Sequence, residues 1–138
     1  MSPFTFPVRV YWEDTDAGGI VYYANYLKFM ERARTELLRN LGIHQNRMAQ
    51  EQGVMFTIVS VSVDYLLPAR LDDLLVVTCT IMSEGRASFA FSQEVYRQQI
   101  GGELLVRARA RAACLDCTTL RPRRLPESLL KAMATHQE

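Results

Sequence analysis

Residues 10–42 read VYWEDTDAGGIVYYANYLKFMERARTELLRNLG, and the rest of the chain has to be arranged around this stretch. It joins an aromatic strand end to a loop carrying Glu13, Asp14, Asp16 and two glycines, and then to a long amphipathic helix. Leu27, Met30, Ala33, Leu37 and Leu41 recur at steps of three and four and so share one helix face. Lys28, Glu31, Arg32, Glu36 and Arg39 fall mostly on the others. Gly42 is placed to stop the helix as a C′ residue. The start of such a helix presents unpaired backbone N–H groups and partial positive charge, which gives a carboxylate-rich loop in front of it reactive potential.

Working outward, Phe4–Trp12 predicts a first strand, with Pro7 suggesting an edge position or a start at Val8. Residues 43–52 predict one or two helical turns ending at Gly53. From Val54 the period changes to two. Val59, Val61, Val63 and Tyr65 alternate with Ser60, Ser62 and Asp64, the pattern of a half-buried strand. Residues 66–73, with Pro68, break it. Leu74–Met82 predicts the next strand, turning at Ser83-Glu84-Gly85. Ala87, Phe89, Phe91, Gln93 and Val95 alternate with Ser88, Ala90, Ser92 and Glu94, and Gly101-Gly102 marks a hairpin. In Leu104–Cys114, Val106, Ala108, Ala110, Ala112 and Cys114 face one way and Arg107, Arg109 and Arg111 the other. A basic, proline-punctuated loop then leads to a short helix from about Pro126. The expected order is one strand, a long helix, four antiparallel strands in a meander and a short helix. That is an α+β domain over residues 1–138, its antiparallel sheet curved around the long helix. Exposed sheet edges predict pairing into dimers.

The 138 residues are 49% hydrophobic and 22% charged, enough to bury one core. A formal net charge of +1 supplies no global attraction to nucleic acid or an anionic membrane, so an anionic ligand must be met locally. The first residues lack the basic region and apolar run of a signal peptide, and no apolar run approaches the roughly 18 residues of a membrane span. Three cysteines, Cys79, Cys114 and Cys117, argue against a disulfide scaffold and for a reduced, cytoplasmic protein.

Scarcity of reactive residues narrows the chemistry. The histidines are His44 and His136, the second next to the C-terminus, and no G-x-S-x-G elbow exists, which disfavours a serine or thiol nucleophile. Cys114-Leu-Asp-Cys117 has no second cysteine pair or nearby histidine and reads as two small buried hydrophobes rather than a metal or redox centre. No phosphate-binding glycine motif appears. The carboxylates of the 13–16 loop remain. Asp and Gly favour turns, and acids before a helix are stabilised by its dipole, so the loop admits a purely structural reading. Its combination with Gly18-Gly19, the apolar Ile20-Val21 and the cluster Tyr22, Tyr23 and Tyr26 raises a functional one: an apolar substrate held beside helix-terminal N–H donors. The tyrosines read equally as packing or as pocket lining.

At these residues the sequence resembles the 4-hydroxybenzoyl-CoA thioesterase branch of the hotdog-fold superfamily, and within it the acyl-CoA thioesterases associated with the bacterial Tol-Pal system. The matching stretches are Val8–Tyr23, Tyr26 with Glu31–Leu37, Pro68–Asp73 and Arg121–Pro126, with the pattern D-x-D-x-x-G-x-V-x-x-x-x-Y carried by Asp14, Asp16, Gly19, Val21 and Tyr26. The resemblance implies a five-stranded antiparallel sheet wrapped around one long central helix, in a homodimer or a dimer of dimers. It implies Asp16 as the catalytic carboxylate. It also implies the Tyr23 backbone amide as the group polarising the thioester carbonyl, with a supporting amide near Met55. Members commonly carry Tyr-His where this chain has Tyr22-Tyr23, so that histidine's contribution to water activation or substrate choice is not carried over. Asp16 and the amide donors do not depend on it.

Thioester hydrolysis needs oxyanion stabilisation and one positioned carboxylate, which either attacks the carbonyl or deprotonates water. Gly19, Val21, Tyr22 and Tyr26 are candidates for holding the acyl portion. Coenzyme A enters as part of the substrate and no separate cofactor is expected. Its phosphates call for nearby cations, for which Arg70, Arg86 with Ser88, and the Arg121, Arg123, Arg124 group are candidates, each taken singly read more readily as solvated surface charge. The Arg107, Arg109, Arg111 ladder fits an exposed sheet face or a contact between dimers. Two other classes compete: a non-catalytic module binding acyl-CoA or acyl carrier protein in envelope or lipid metabolism, and a thioester dehydratase or isomerase. The last generally needs a histidine, and none lies near Asp16–Tyr26.

Overall fold

The computed structural model describes residues 3–137. Its elements are β1 (Phe4–Arg9), α1 (Asn25–Asn40), α2 (Gln45–Gln52), β2 (Val54–Tyr65), β3 (Leu74–Ser83), β4 (Ser88–Arg97), β5 (Leu104–Asp116) and α3 (Glu127–Gln137). The strands form one antiparallel sheet in the order β1-β3-β4-β5-β2.

Helix α1 ends where expected. Gly42 takes φ +84°, and the Ile43 N–H reaches back to the Leu38 carbonyl at 2.8 Å, closing the last turn. Its buried stripe is shifted from the expected one. Tyr26, Phe29, Met30, Ala33, Leu37 and Leu38 are buried, while Leu27 is exposed and Leu41 only partly covered. The helix starts at Asn25, and the aromatic positions Tyr26 and Phe29 turn toward the sheet in place of Leu27. One end of the helix packs with Val8, Val10, Leu75, Val77 and Val95. Leu37 and Leu38, toward the other end, pack with Ile81, Phe89, Leu125 and Leu129 of a second cluster. Each large side chain so buried contributes on the order of 1.5–3 kcal/mol.

Three expectations about the strands are corrected. The first strand stops at Arg9 and a single 3-10 turn follows at Trp12–Asp14, where the Asp14 carboxylate accepts the Tyr11 N–H at 2.8 Å. The meander holds for β3, β4 and β5 but not for β2, which pairs with β5 at the far edge while β1 pairs with β3. The reason is the connection: residues 66–73 do not fold into a hairpin but cross from one side of the sheet to the other, with Ala69 fully buried on the way. Nor is β2 half-buried along its length. Ile58, Val59, Val61 and Tyr65 are all exposed, because the backbone of α1 lies close to β1 and β3, toward the opposite edge of the sheet. The pairing with β5 slips between Ile58 and Ser60, a bulge that bends the strand.

Cys79 and Cys114 are buried and free as expected, and burial pushes the Cys79 thiol up to about 12. Cys117 is exposed rather than buried, because β5 ends at Asp116 and Cys117 sits in the turn after it. The arginine ladder lies on the exposed face, with Arg109 and Arg111 both paired to Glu84 and Arg107 facing Glu94 at 3.7 Å.

Candidate active site at the start of the long helix

The loop before α1 is closed by its own backbone. The Asp16 N–H donates to the Ile20 carbonyl at 2.9 Å, the Gly19 N–H returns to the Asp16 carbonyl at 3.0 Å, and the Tyr22 N–H donates to the Asp14 carbonyl at 2.9 Å. Gly19 sits at φ +79°, a conformation that side-chain-bearing residues rarely adopt. The Asp16 carboxylate is exposed and accepts the Gly18 N–H at 2.8 Å, which fixes one oxygen and leaves the other to solvent. Asn25, the first helical residue, donates its amide side chain to the Asp14 carbonyl at 2.8 Å and so ties the helix start to the loop.

The crossover segment forms the other wall. The Val21 N–H donates to the Ala69 carbonyl at 2.9 Å, and the Ala69 N–H donates to the Tyr26 hydroxyl at 3.0 Å. Burial pushes the Tyr26 phenol upward, which keeps it neutral. Arg97 holds the segment in place through Asp73 and through the Pro68 carbonyl at 2.9 Å, and is itself oriented by Glu103 at 2.9 Å. Between loop and crossover lies a cleft of about 310 Å³ lined by Ile20, Val21, Tyr23, Tyr65, Leu66 and Leu67, with the buried Tyr26 at its base. Tyr65 donates its hydroxyl to the Tyr23 carbonyl at 3.2 Å. Among the described residues, no acceptor takes the Tyr23 N–H. A larger depression of about 450 Å³ lies on the outer sheet face among Ser62, Thr78, Thr80, Ser92, Arg107 and Arg109. The carboxylates there, Asp64 and Glu94, stand among arginines with no helix terminus to polarise a carbonyl, so the smaller, apolar cleft is the better reaction site.

The structure sorts the sequence-predicted residues into two groups. Asp16, Gly19, Val21, Tyr22, Tyr23 and Tyr26 surround the helix start, and Arg70 joins them through a backbone bridge to Ile20. Met55, Arg86 and Ser88 lie at the opposite end of the sheet, where β2 and β4 begin. Ten residues of strand separate Met55 from Tyr65, roughly 33 Å. The Met55 amide is not a free donor. Cys117 donates to the Gly53 carbonyl at 2.9 Å, so two residues on, Met55 opposite Leu115 is again a hydrogen-bonding pair and its N–H points into the sheet. Sequence reasoning missed Tyr65, Leu66 and Leu67. The exposed Leu66-Leu67 pair beside Pro68 was the available signal, since an apolar pair in a strand-breaking loop has no core to fill.

Residues 10–133 match the thioesterase-like superfamily. The chain belongs to that family. An acyl-CoA thioesterase YbgC of Haemophilus influenzae is 42% identical over 129 residues, covering 94% of this chain and 93% of the relative. Among solved structures, a probable thioesterase from Bartonella henselae is 34% identical with a TM-score of 0.80, over 88% of this chain and 98% of that one. A mutant of 4-hydroxybenzoyl CoA thioesterase complexed with 4-hydroxybenzoyl CoA is 25% identical with a TM-score of 0.87, over 96% and 99%. The long helix wrapped by a five-stranded antiparallel sheet is thus the hotdog fold of this thioesterase family. No described helix is long and apolar enough to cross a membrane.

Proposed function

We propose that this chain hydrolyses the thioester bond of acyl-CoA to free acid and coenzyme A, with Asp16 as the catalytic carboxylate and the Tyr23 N–H as an oxyanion donor. The carrying observation is the loop geometry. An exposed carboxylate fixed at one oxygen by Gly18 stands in a turn closed onto Ile20, and Ile20, together with Tyr23 whose amide is unengaged, lines an apolar cleft. The acyl group occupies the cleft and its carbonyl oxygen faces the Tyr23 N–H, which is aided by the positive end of α1. Asp16 then either attacks the acyl carbon, expelling the thiolate and leaving an anhydride that water cleaves, or takes the proton of an attacking water. The reaction needs water and no cofactor. Arg70, exposed beside the loop, faces the phosphates of coenzyme A.

The site is completed by a second copy. Antiparallel pairing of β2 with β2 about a two-fold axis lays the beginning of one strand beside the end of the other. It thereby brings the end bearing Arg86 and Ser88 toward the cleft at Tyr65, and it covers the exposed apolar residues of that strand. Free, buried Cys79 and Cys114 suit a cytoplasmic setting.

Steady-state hydrolysis of acyl-CoAs from acetyl to palmitoyl, plus benzoyl-type thioesters, tests the reading. Asp16→Asn should lower kcat by about 10²–10⁴ with KM little changed. If the wild type hydrolyses none of them, or the Asn variant is equally active, the chain is instead a binding module for acyl-CoA or acyl carrier protein.

A further inference from the structure

The turn that carries the Tyr23 N–H is only partly held by its own backbone. The Asn25 N–H donates to the Tyr22 carbonyl at 2.8 Å, closing a β-turn over Tyr22, Tyr23, Ala24 and Asn25. The Tyr22 N–H donates to the Asp14 carbonyl at 2.9 Å, so the first residue of the turn is tied on both sides. The middle peptide, joining Tyr23 to Ala24, has no such tie. Helix α1 begins only at Asn25, and the Leu27 N–H, which a regular helix would aim at the Tyr23 carbonyl, donates to the Ala24 carbonyl at 3.2 Å. Among the described residues, the hydroxyl of Tyr65, at 3.2 Å, is the one donor to the Tyr23 carbonyl.

That hydroxyl stands on a fixed support. The two residues after Tyr65, Leu66 and Leu67, both donate their backbone N–H groups to the Leu105 carbonyl, at 2.8 and 3.2 Å. The Tyr65 ring meets the Tyr26 ring with centroids 5.7 Å apart and stands edge-on to the Tyr23 ring at 6.0 Å. Tyr26 is itself buried and pinned by the Ala69 N–H at 3.0 Å. Burial raises the Tyr65 phenol, so it keeps its proton and donates at neutral pH.

We infer that Tyr65 is a positioning residue for thioester hydrolysis: its hydroxyl holds the middle peptide of this turn and so fixes the direction of the Tyr23 N–H. The inference rests on that amide being the oxyanion donor. Such a donor lowers the barrier when it is already aimed at the point where charge develops, and a displacement of about 1 Å can cost on the order of 10² in rate. Without the Tyr65 hydroxyl, the peptide adjoining the donor has no hydrogen bond among the described residues. The proton of Tyr65 is engaged by the Tyr23 carbonyl, so the residue acts through the turn and transfers no proton to substrate.

Steady-state kinetics of the full chain test it, with whichever acyl-CoA of the acetyl-to-palmitoyl and benzoyl-type panel the wild type hydrolyses fastest. Tyr65→Phe keeps the ring and its contacts and removes only the hydroxyl. It should lower kcat about 10-fold with KM within about 2-fold, and by the same factor at every pH from about 6 to 9, because no proton transfer is lost. Tyr65→4-aminophenylalanine restores a donor on the same ring and should return kcat to within about 3-fold of wild type. Tyr96→Phe, which removes a hydroxyl bonded to Glu94 at 2.9 Å on the outer sheet face, should leave kcat unchanged. Wild-type kcat in Tyr65→Phe, a loss carried by KM alone, a loss confined to one limb of the pH profile, or no recovery with the amino analogue overturns the role. If Asp16→Asn is inactive while Tyr65→Phe is fully active, this inference falls alone. If the wild type hydrolyses none of the thioesters, the hydrolytic reading falls and takes this one with it.

Discussion

The two edges of the sheet are built on opposite principles. β1 is six residues long, contains Pro7, and turns Phe4, Phe6 and Val8 into the core. β2 is twelve residues long, has no proline, and leaves Ile58, Val59, Val61 and Tyr65 between 38% and 53% exposed. A short edge interrupted by proline resists further pairing, whereas a long apolar one invites it. The difference favours β2 as the edge for the proposed pairing, which would bring together predicted site residues that lie at both ends of that strand.

The most severe way to break this contrast is charge on the open edge. Val59→Lys combined with Val61→Lys should halve the mass by light scattering and lower hydrolysis by roughly 10². Thr5→Lys on β1 should change neither. A monomeric variant with full turnover would remove the second copy from the mechanism. Next in size is core against edge. Leu75→Ala, fully buried opposite Val8, should cost about 2–5 kcal/mol in urea unfolding. Val61→Ala should cost under about 1 kcal/mol if the strand stays uncovered. A larger, concentration-dependent loss at Val61 would show that the edge is buried in the assembly.

A smaller effect concerns the root of β2, where Asp116 pairs opposite Val54. N–H groups of Thr119 and Thr118, with Arg123 at 2.8 Å, lower its carboxyl from 3.8 to about 2. The native state thus favours the ionised form. Its stabilisation is fully present above the unfolded value and is lost as pH falls from 3.8 through about 2. Asp116→Asn should lower Tm at pH 7 and flatten the acid limb of the Tm profile. The smallest effect is at exposed Cys117, where serine should leave stability within about 0.5 kcal/mol.

The helix end at Gly42, the second helix ending at Gly53 and the strands β3 to β5 were legible because glycine punctuation and residue period are local signals. The partner of β2 was not. Alternation reports which face a residue takes but is silent about which strand lies beside it. The helix stripe was misplaced at Leu27 because successive residues point about 100° apart and an apolar side chain at the right spacing does not reveal that its neighbour Tyr26 takes the core position instead. Asp16, Gly19, Val21 and Tyr23 could be grouped because they lie within one loop. Tyr65 could not, since its bond to Tyr23 spans 42 residues. Arg34 carries no periodic signal. Its bond to a glutamine 59 positions away is visible only in the fold.

The bond from the Tyr65 hydroxyl to the Tyr23 carbonyl, 3.2 Å long, links the last residue of the open edge to the turn that presents the proposed oxyanion donor. Under the proposed pairing of β2, gain or loss of a neighbouring strand would be felt one hydrogen bond from that turn. The proposed pairing would make the enzyme dose-dependent: on dilution below the dissociation constant of the pair, specific activity should fall while far-ultraviolet dichroism stays flat. The cell's supply of the protein would then set not only how many sites exist but how well each one works.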